Sequence, residues 1–148
     1  MKTTGKIKYD KKNAKIGYRQ SSRIWLNTNL KAHDFISEQY WCGNFDMVKE
    51  MFPQAEVYVY ESDGKVQGFI GLDGEYIEGI FVSDEMQSQG IGKALLDYAK
   101  SRKSELRLNV YRKNTRAIRF YQREGFSVRS EGLDEAVGEK DFLMVWKE

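Results

Sequence analysis

Residues 79–96 read GIFVSDEMQSQGIGKALL, and this stretch decides the fold. It begins as an apolar strand, passes through a polar loop and enters an amphipathic helix at Gly90 and Gly92. Glycines at such a junction let the backbone approach a ligand closely, and the first N–H groups of a helix have no partner within it. These amides and the helix dipole favour an anion, typically a phosphate. The stretch therefore predicts a phosphate-binding loop, with a purely structural turn as the alternative.

Two common phosphate-binding loops do not fit this stretch. A Walker loop requires glycine at the position of Gln87, and serine or threonine at that of Ala94. A dinucleotide-binding fingerprint requires a small residue at the position of Leu95, after the first strand of a parallel unit. The strand here belongs instead to an antiparallel meander. The Walker loop is therefore excluded by its residues, and the dinucleotide fingerprint by both its residues and its strand.

The meander is predicted from the residues before the loop. Val57 and Val59 alternate with tyrosines, which is typical of a strand. The Asp-Gly pairs at 63–64 and 73–74 favour tight turns, because both residue types tolerate positive φ. We therefore expect three hairpin-linked strands, over 55–61, 66–72 and 76–82.

After the loop the apolar residues recur with the period of a helix. The helix is predicted from Ile91, Ala94, Leu95, Tyr98 and Ala99. A strand over 106–110 comes next, and then a second helix that begins at Asn114 and is stopped by Gly125. The last two strands are expected over 126–129 and 142–146.

The first fifty residues are less regular. Their apolar clusters predict two or three short helices, broken near 27–33 and at 42–44. Lys6–Tyr9 is a candidate strand, and Asp10 is the expected cap of the segment after it. The whole order predicts a single α+β domain over 1–148, with a mixed, largely antiparallel sheet flanked by helices.

A second informative segment, residues 114–126, reads NTRAIRFYQREGF. Asn114 and Tyr121 are seven residues apart, about two helical turns, so their side chains share one face of the predicted helix. The periodicity alone favours a tyrosine that packs in the core.

These two segments, in this order, resemble the GNAT superfamily of acyl-CoA N-acyltransferases over roughly residues 55–146. The family's acetyl-CoA signature is Gln or Arg, two residues, Gly, one residue, then Gly or Ala, and it is filled by Gln87, Gly90 and Gly92. Its later signature, an Asn before a helix that carries Phe-Tyr and ends in Gly-Phe, matches 114–126. Small bacterial protein and peptide amine acetyltransferases are the most similar members. The resemblance implies direct acetyl transfer from acetyl-CoA to a primary amine in a ternary complex.

The resemblance also implies roles for individual residues. The cofactor-binding residues that it implies are Ile80, Phe81, Val82, Gln87, Ser88, Gln89, Gly90, Ile91, Gly92, Lys93 and Asn114. The amides from Ser88 to Lys93 are expected to cradle the pyrophosphate. The backbone of 80–82 is expected to pair with the pantetheine arm in a gap beside strand 106–110, where one N–H stabilises the oxyanion. Asn114 is expected to bind the same arm, and Tyr121 to protonate the departing thiolate as the general acid.

The general base is less determined. A free lysine, with a pKa of about 10.4, is mostly an ammonium at neutral pH, so a proton acceptor is needed. Glu78 lies two residues before Ile80 and shares its strand face if no bulge intervenes. Glu78 is therefore the expected base, with Glu75 as the second choice. His33, the only histidine, is a base, an acceptor contact or an ordinary loop residue.

Two further sets of residues allow two interpretations each. The aromatic set lines the acceptor cleft or, as we expect for most of its members, packs in the core; it comprises Trp25, Phe35, Tyr40 and Trp41. The basic set binds CoA phosphates or is simply solvated; it comprises Lys93, Arg112, Lys113 and Arg116.

Composition limits the partners and the location. A net charge of +2 is too small to imply nucleic acid, and the basic residues of 2–19 are interpreted as solvated surface. A single cysteine, Cys42, excludes an intramolecular disulfide. No apolar run reaches the roughly 18 residues of a membrane helix. We expect a cytoplasmic protein without a metal, for which a homodimer is an option.

The sequence does not determine the acceptor. Protein lysines or N-termini, a polyamine, an amino acid and an antibiotic amine all remain open. The alternative function is a catalytically silent CoA-binding module that acts as a sensor or interaction domain. Such a module would share the phosphate-binding loop and would differ at Tyr121 and at the base.

Overall fold

The computed structural model describes residues 6–9, 14–51, 55–87 and 89–148. Its elements in chain order are β1 (Lys6–Tyr9), α1 (Ala14–Ala32), α2 (Glu38–Gly43), α3 (Phe45–Met51), β2 (Glu56–Ser62), β3 (Lys65–Asp73), β4 (Tyr76–Val82), a short 3₁₀ turn (Asp84–Met86), α4 (Ile91–Arg102), β5 (Glu105–Tyr111), α5 (Thr115–Arg123), β6 (Ser127–Asp134) and β7 (Glu139–Lys147). The predicted first strand is present, whereas Asp10, the expected cap of the segment after it, lies outside the described residues. The break predicted at 42–44 separates α2 from α3, and β6 and β7 are longer than predicted.

The seven strands form one sheet in the order β1-β2-β3-β4-β5-β7-β6. Neighbouring strands are antiparallel except β4 and β5, which run parallel. A parallel pair needs a long crossover connection, and α4 lies in that connection. The predicted α+β fold, with a mixed and largely antiparallel sheet flanked by helices, is confirmed.

Tight turns join the three strands of the meander. Asp63 and Gly64, with φ of 54° and 72°, form the two-residue turn between β2 and β3. Such a turn requires positive φ at both positions, which is why the Asp-Gly pair predicts it correctly. Gly74, at φ 61°, makes the turn between β3 and β4.

Helices cover both faces of the sheet, and β2 contributes to both cores. Val57 and Val59 pack with Ile24 of α1 on one face. Tyr58 and Tyr60 point to the other face, towards α4. The largest fully buried side chains of that second core are Ile70, Leu72, Ile77, Ile91, Leu95, Leu96, Leu106 and Met144. Each contributes about 1.5–3 kcal/mol through removal of apolar surface from water.

The first helix is longer than predicted, and the expected break near 27–33 is wrong. Thr28 Oγ1 donates a hydrogen bond to the carbonyl oxygen of Ile24 over 2.6 Å. Asn29 Nδ2 donates to the carbonyl oxygen of Trp25 over 2.9 Å. Polar residues that usually compete with a helix here bond to its own carbonyl groups, so α1 continues to its end beside the functional cleft. Among the described helices, none is both long and apolar enough to cross a bilayer.

Candidate active site

The cleft of this protein arises where β4 and β5 diverge. The two strands share one backbone pair, Tyr76 with Arg107. At this pair Arg107 donates its N–H to the carbonyl oxygen of Glu75 over 2.9 Å. Beyond it, within the described residues, β4 has no strand partner on this edge. A cleft of about 800 Å³ opens there, bounded by β4, the end of α1, the start of α4, and α5.

Most of the predicted site residues meet in this cleft. Those that line it are Ile80, Phe81, Val82, Gln87, Gly90, Ile91, Gly92, Lys93, Asn114 and Tyr121. Glu78 and Gln89 are not among its lining residues, and Ser88 lies outside the described part of the chain.

The free edge of β4 directs backbone groups into the cleft. Ser83 donates its N–H to the carbonyl oxygen of Gln67 on β3 over 2.8 Å. Because backbone groups alternate in direction along an antiparallel strand, the N–H and C=O groups of Val82 and Ile80 point away from β3. These backbone groups therefore face the cleft, where an extended ligand can pair with them.

The start of α4 forms the second wall. Gly90 precedes this helix with a φ of 80°, a conformation that L side chains rarely adopt. The first bond of the helix runs from the Ala94 N–H to the carbonyl oxygen of Gly90 over 3.0 Å. The N–H groups of 91–93 precede that bond and have no acceptor within the helix. These three amides belong to the stretch 88–93 that is predicted to cradle a pyrophosphate, and Ser88 lies outside the described residues.

Gln87 has a bond that the sequence did not indicate. Its Nε2 donates to the carbonyl oxygen of Val82 over 3.3 Å. This contact ties the loop before α4 to the end of β4, so it holds the strand edge and the helix start in one arrangement.

Tyr121 is fixed by the end of α5. The N–H of Phe126 donates to the Tyr121 carbonyl and that of Gly125 to the Gln122 carbonyl, over 2.9 and 3.1 Å. This pair of bonds is a Schellman motif, and it requires positive φ at Gly125, where φ is 93°. Within the described residues the Tyr121 hydroxyl has no hydrogen-bond partner. Burial raises the pKa of Tyr121, so its hydroxyl keeps the proton at neutral pH.

Asn114 lies at the start of α5, opposite the end of α1. Its Oδ1 accepts a hydrogen bond from the N–H of Ala117 over 3.2 Å and so caps the helix. Its Nδ2 lies 3.1 Å from Nε2 of His33, which follows α1. The contact joins residues 81 positions apart in the sequence. His33 also lines the cleft.

Glu78 does not share a strand face with Ile80, because a β-bulge lies between them. The pairing shifts from Gly71–Gly79 to Leu72–Ile77, which leaves Glu78 as the extra residue of β4. As a result Ile77 and Ile80 both pack against the core around α4. Glu78 is exposed outside the cleft lining. Although the residue as a whole is exposed, partial burial of its carboxyl group and, to a smaller extent, the charge of Asp73 raise the pKa of Glu78.

Basic side chains dominate the charge of the cleft. The charged residues that line it are Lys31, Lys93, Lys113, Arg116, Arg123 and Glu124. Lys93 pairs with Glu124 at 3.0 Å, and Lys113 pairs with Glu139 at 3.1 Å. Arg116 makes no ion pair within the described part of the chain. Arg112, the remaining candidate for phosphate binding, lies outside the lining and pairs with Glu131 at 3.5 Å.

The four aromatic residues of the helical region do not line the cleft. They pack around one another and around His33, whose ring stacks on Trp41 with centroids 5.4 Å apart. Of the four, Trp41 is buried and Trp25 packs against the core on the α1 face, whereas Phe35 and Tyr40 are half-buried. The sequence reasoning missed Thr28, Asn29 and Lys31, which do line the cleft. The four-residue spacing from Trp25 to Asn29 to His33 was a usable signal, since it places them on one helix face.

The comparison with known proteins agrees with this geometry. A family model described as an acetyltransferase (GNAT) domain matches residues 53–128. The chain is 34% identical over 125 residues to the peptidyl-lysine N-acetyltransferase YiaC of Escherichia coli (strain K12), an alignment that covers 83% of this chain and 86% of YiaC.

Solved structures with the same fold include one with the cofactor bound. The solution structure of apo-form YjaB from Escherichia coli has a TM-score of 0.84 at 24% identity and covers 97% of each chain. The paia N-acetyltransferase from Thermoplasma acidophilum in complex with coenzyme A has a TM-score of 0.73 at 22% identity, over 97% of this chain and 99% of that one. With the family model and the sequence relative, these observations show that the chain is an N-acetyltransferase and belongs to the GNAT family.

Proposed function

We propose that the cleft between β4 and β5 binds acetyl-CoA, and that the enzyme acetylates lysine side chains of proteins or peptides. The observation that carries this proposal is the divergence of β4 from β5 beyond Tyr76. A free strand edge, the open N-terminus of α4 and the hydroxyl of Tyr121, which has no partner among the described residues, lie around one cavity. A long ligand fits these three features if its diphosphate lies at the N-terminus of α4, its amide-bearing arm along the strand edge and its reactive end at Tyr121.

Each part of the cofactor has a complementary part of the cleft. The amides of 91–93, at the positive end of α4, suit the pyrophosphate. Arg116, which has no ion pair within the described residues, is available to a further phosphate. The backbone groups of Ile80 and Val82 suit the two amides of the pantetheine arm. Asn114 presents its side-chain nitrogen to the same arm.

Acetyl-CoA supplies a thioester carbonyl carbon, which the neutral amine attacks while the carbon–sulfur bond breaks. We assign the N–H of Ile80 as the donor to the carbonyl oxygen, because it faces the cleft where β4 loses its partner strand. Tyr121, held protonated by burial, donates its proton to the departing sulfur.

The proton of the attacking ammonium must leave as well. Glu78 remains the candidate acceptor, and its raised pKa brings it closer to the range useful for a base. Since Glu78 lies outside the cleft lining, we propose that it acts through water. It lies near the root of the cleft, because Tyr76 two residues earlier pairs with β5 and donates its hydroxyl to Asn109 Oδ1 over 2.7 Å.

The lysine acceptor is supported by the relatives and by charge. YiaC is a peptidyl-lysine N-acetyltransferase by name. In this chain the sheet face that continues from Tyr76 carries acidic groups. Tyr111 donates its hydroxyl to Asp134 over 2.7 Å, and burial together with the charge of Asp134 raises the pKa of Asp141. A cationic side chain with basic neighbours is complementary to such a face.

The test is a thiol-release assay with acetyl-CoA and a panel of amine acceptors. The panel contains lysine peptides with basic or acidic flanks, a peptide with only its N-terminal amine free, a polyamine and an aminoglycoside. We expect turnover with lysine peptides, and faster turnover with basic flanks. Release only with a small-molecule amine would contradict the acceptor assignment, and no release with any acceptor would contradict the proposal as a whole.

A further inference from the structure

His33 lies in a hydrogen-bonded bridge that spans the cleft from α1 to α5. Its Nδ1 is 2.9 Å from Asn29 Oδ1, and its Nε2 is 3.1 Å from Asn114 Nδ2. Each amide that it meets is oriented by a further bond, so the protonation of the ring follows from its surroundings.

The bonds of Asn29 place a proton on Nδ1 of His33. Asn29 Nδ2 donates to the carbonyl oxygen of Trp25 over 2.9 Å, which turns its Oδ1 towards the ring. An amide oxygen can only accept, so Nδ1 of His33 is the donor.

The bonds of Asn114 leave Nε2 of His33 without a proton. Asn114 Oδ1 accepts from the N–H of Ala117 over 3.2 Å, so its nitrogen faces the ring. An amide nitrogen only donates, and therefore Nε2 accepts. Burial lowers the pKa of His33 to about 4, in agreement with a neutral ring at physiological pH.

This bonding leaves His33 unsuited to act as the general base. Its one lone pair is occupied by Asn114, and its one proton is held by Asn29. Within the described residues the second N–H of Asn114 has no acceptor, and Asn114 lines the cleft.

We propose that His33 is a positioning residue for the cofactor. Its neutral Nδ1–H tautomer holds one N–H of Asn114, and this orients the other into the cleft. The bridge thereby fixes the distance between the walls that α1 and α5 provide. This inference rests on the proposed function, since it assumes that Asn114 binds the pantetheine arm.

The tautomer is tested in the protein without ligand. His33 is the only histidine, so its imidazole nitrogens give one set of ¹⁵N signals. We expect a pyrrole-type signal for Nδ1 and a pyridine-type signal for Nε2 at neutral pH. A protonated Nε2, or an averaged pair of signals, would overturn the inference. This result does not depend on whether the protein binds CoA, so it separates the failure of the bridge from that of the proposed function.

The role in binding is tested with two variants. His33→Phe keeps an aromatic ring for the stack on Trp41 but removes both hydrogen bonds. We expect it to raise the KM for acetyl-CoA about 3–10-fold, the effect of one lost hydrogen bond, with a smaller change in kcat. His33→Gln restores an acceptor for Asn114 and should recover most of that loss. Equal defects in both variants, or no defect in His33→Phe, would overturn the positioning role.

Discussion

Phe126 donates its backbone N–H to the carbonyl oxygen of Tyr121 over 2.9 Å, and the two rings meet edge to face with centroids 5.4 Å apart. The chain returns on itself in this way because Gly125 adopts a φ of 93°. The Gly-Phe pair after the helix therefore has a physical role in the site, since it fixes the position of the proposed general acid.

Gly125→Ala should lower both stability and turnover. A side chain at this φ costs about 1–2 kcal/mol, and its Cβ would lie 3.3 Å from Trp146 Cδ1. Relief of this strain would displace Tyr121. Gly138→Ala is the matched control, because Gly138 has a φ of 71° but no heavy atom near its added Cβ. Denaturant unfolding should show a lower free energy of unfolding in both variants, whereas kcat should fall only in Gly125→Ala. Equal kcat values in the two variants would contradict the link between Gly125 and Tyr121.

Tyr121→Phe should lower kcat about 100-fold or more while the affinity for CoA stays the same, because only the proton donor is removed. Stopped-flow acetyl transfer and calorimetric CoA binding measure the two quantities. Tyr98→Phe, on α4 and outside the cleft lining, is the control for loss of a tyrosine hydroxyl. Unchanged turnover in Tyr121→Phe would remove Tyr121 from the mechanism.

Glu78→Gln should lower kcat/KM by about 10-fold to 100-fold, because the proton of the amine then leaves without a base. The carboxylate is the active form, and its pKa is raised, so activity of the native enzyme should fall with acid from a pH above the usual range of a glutamate. Glu75→Gln provides the comparison. If Glu75→Gln is the more damaged variant, the second choice for the base is the correct one.

The two glycines of the loop should respond differently to alanine. Gly90 has a φ of 80°, so alanine costs about 1–2 kcal/mol, either as lost stability or, if the loop relaxes, as weaker CoA binding. At Gly92 an added Cβ meets only ordinary contacts, the nearest being Phe120 Cζ at 3.7 Å. Thermal unfolding and calorimetry should therefore show a loss of stability or of CoA affinity in Gly90→Ala and little change of either in Gly92→Ala. The opposite order would contradict the proposed loop geometry.

The stability should depend on pH through His33. Its pKa is 6.5 when unperturbed and about 4 in the fold. Between these values the unfolded chain binds more protons, so the free energy of unfolding decreases as the pH falls from 6.5 to 4. For a partly exposed ring this contributes about 1–3 kcal/mol. The difference in free energy of unfolding between the native protein and His33→Phe should therefore shrink by that amount as the pH falls from 6.5 to 4. A constant difference would show that burial does not disfavour the charged ring.

Local rules were sufficient for the part of the site on α5. Asn114 caps the helix, Gly125 ends it, and the spacing to Tyr121 follows from the helical period, so each feature depends on residues nearby in sequence. The same holds for the turn at 63–64, whose residues set their own dihedral angles.

Features that depend on tertiary packing were not predictable from the sequence. The bulge at Glu78 changes which face a side chain occupies, and Gly79 inside β4 is compatible with a bulge but does not fix its position. The break predicted near 27–33 failed because Thr28 and Asn29 bond to the carbonyl groups of their own helix. The contact between His33 and Asn114 joins distant segments that only the finished fold brings together.

The most direct measurement is a titration of ¹⁵N-labelled protein with CoA, followed through its backbone amide signals. We expect the largest shifts at Ile80 and Val82 on the free edge of β4 and at 91–93 at the start of α4, with saturation at one equivalent. The amide signal of Gly138, in the hairpin between β6 and β7, should not shift. Saturable shifts elsewhere with these amides unchanged, or no binding at millimolar CoA, would contradict the placement of the cofactor between β4 and β5.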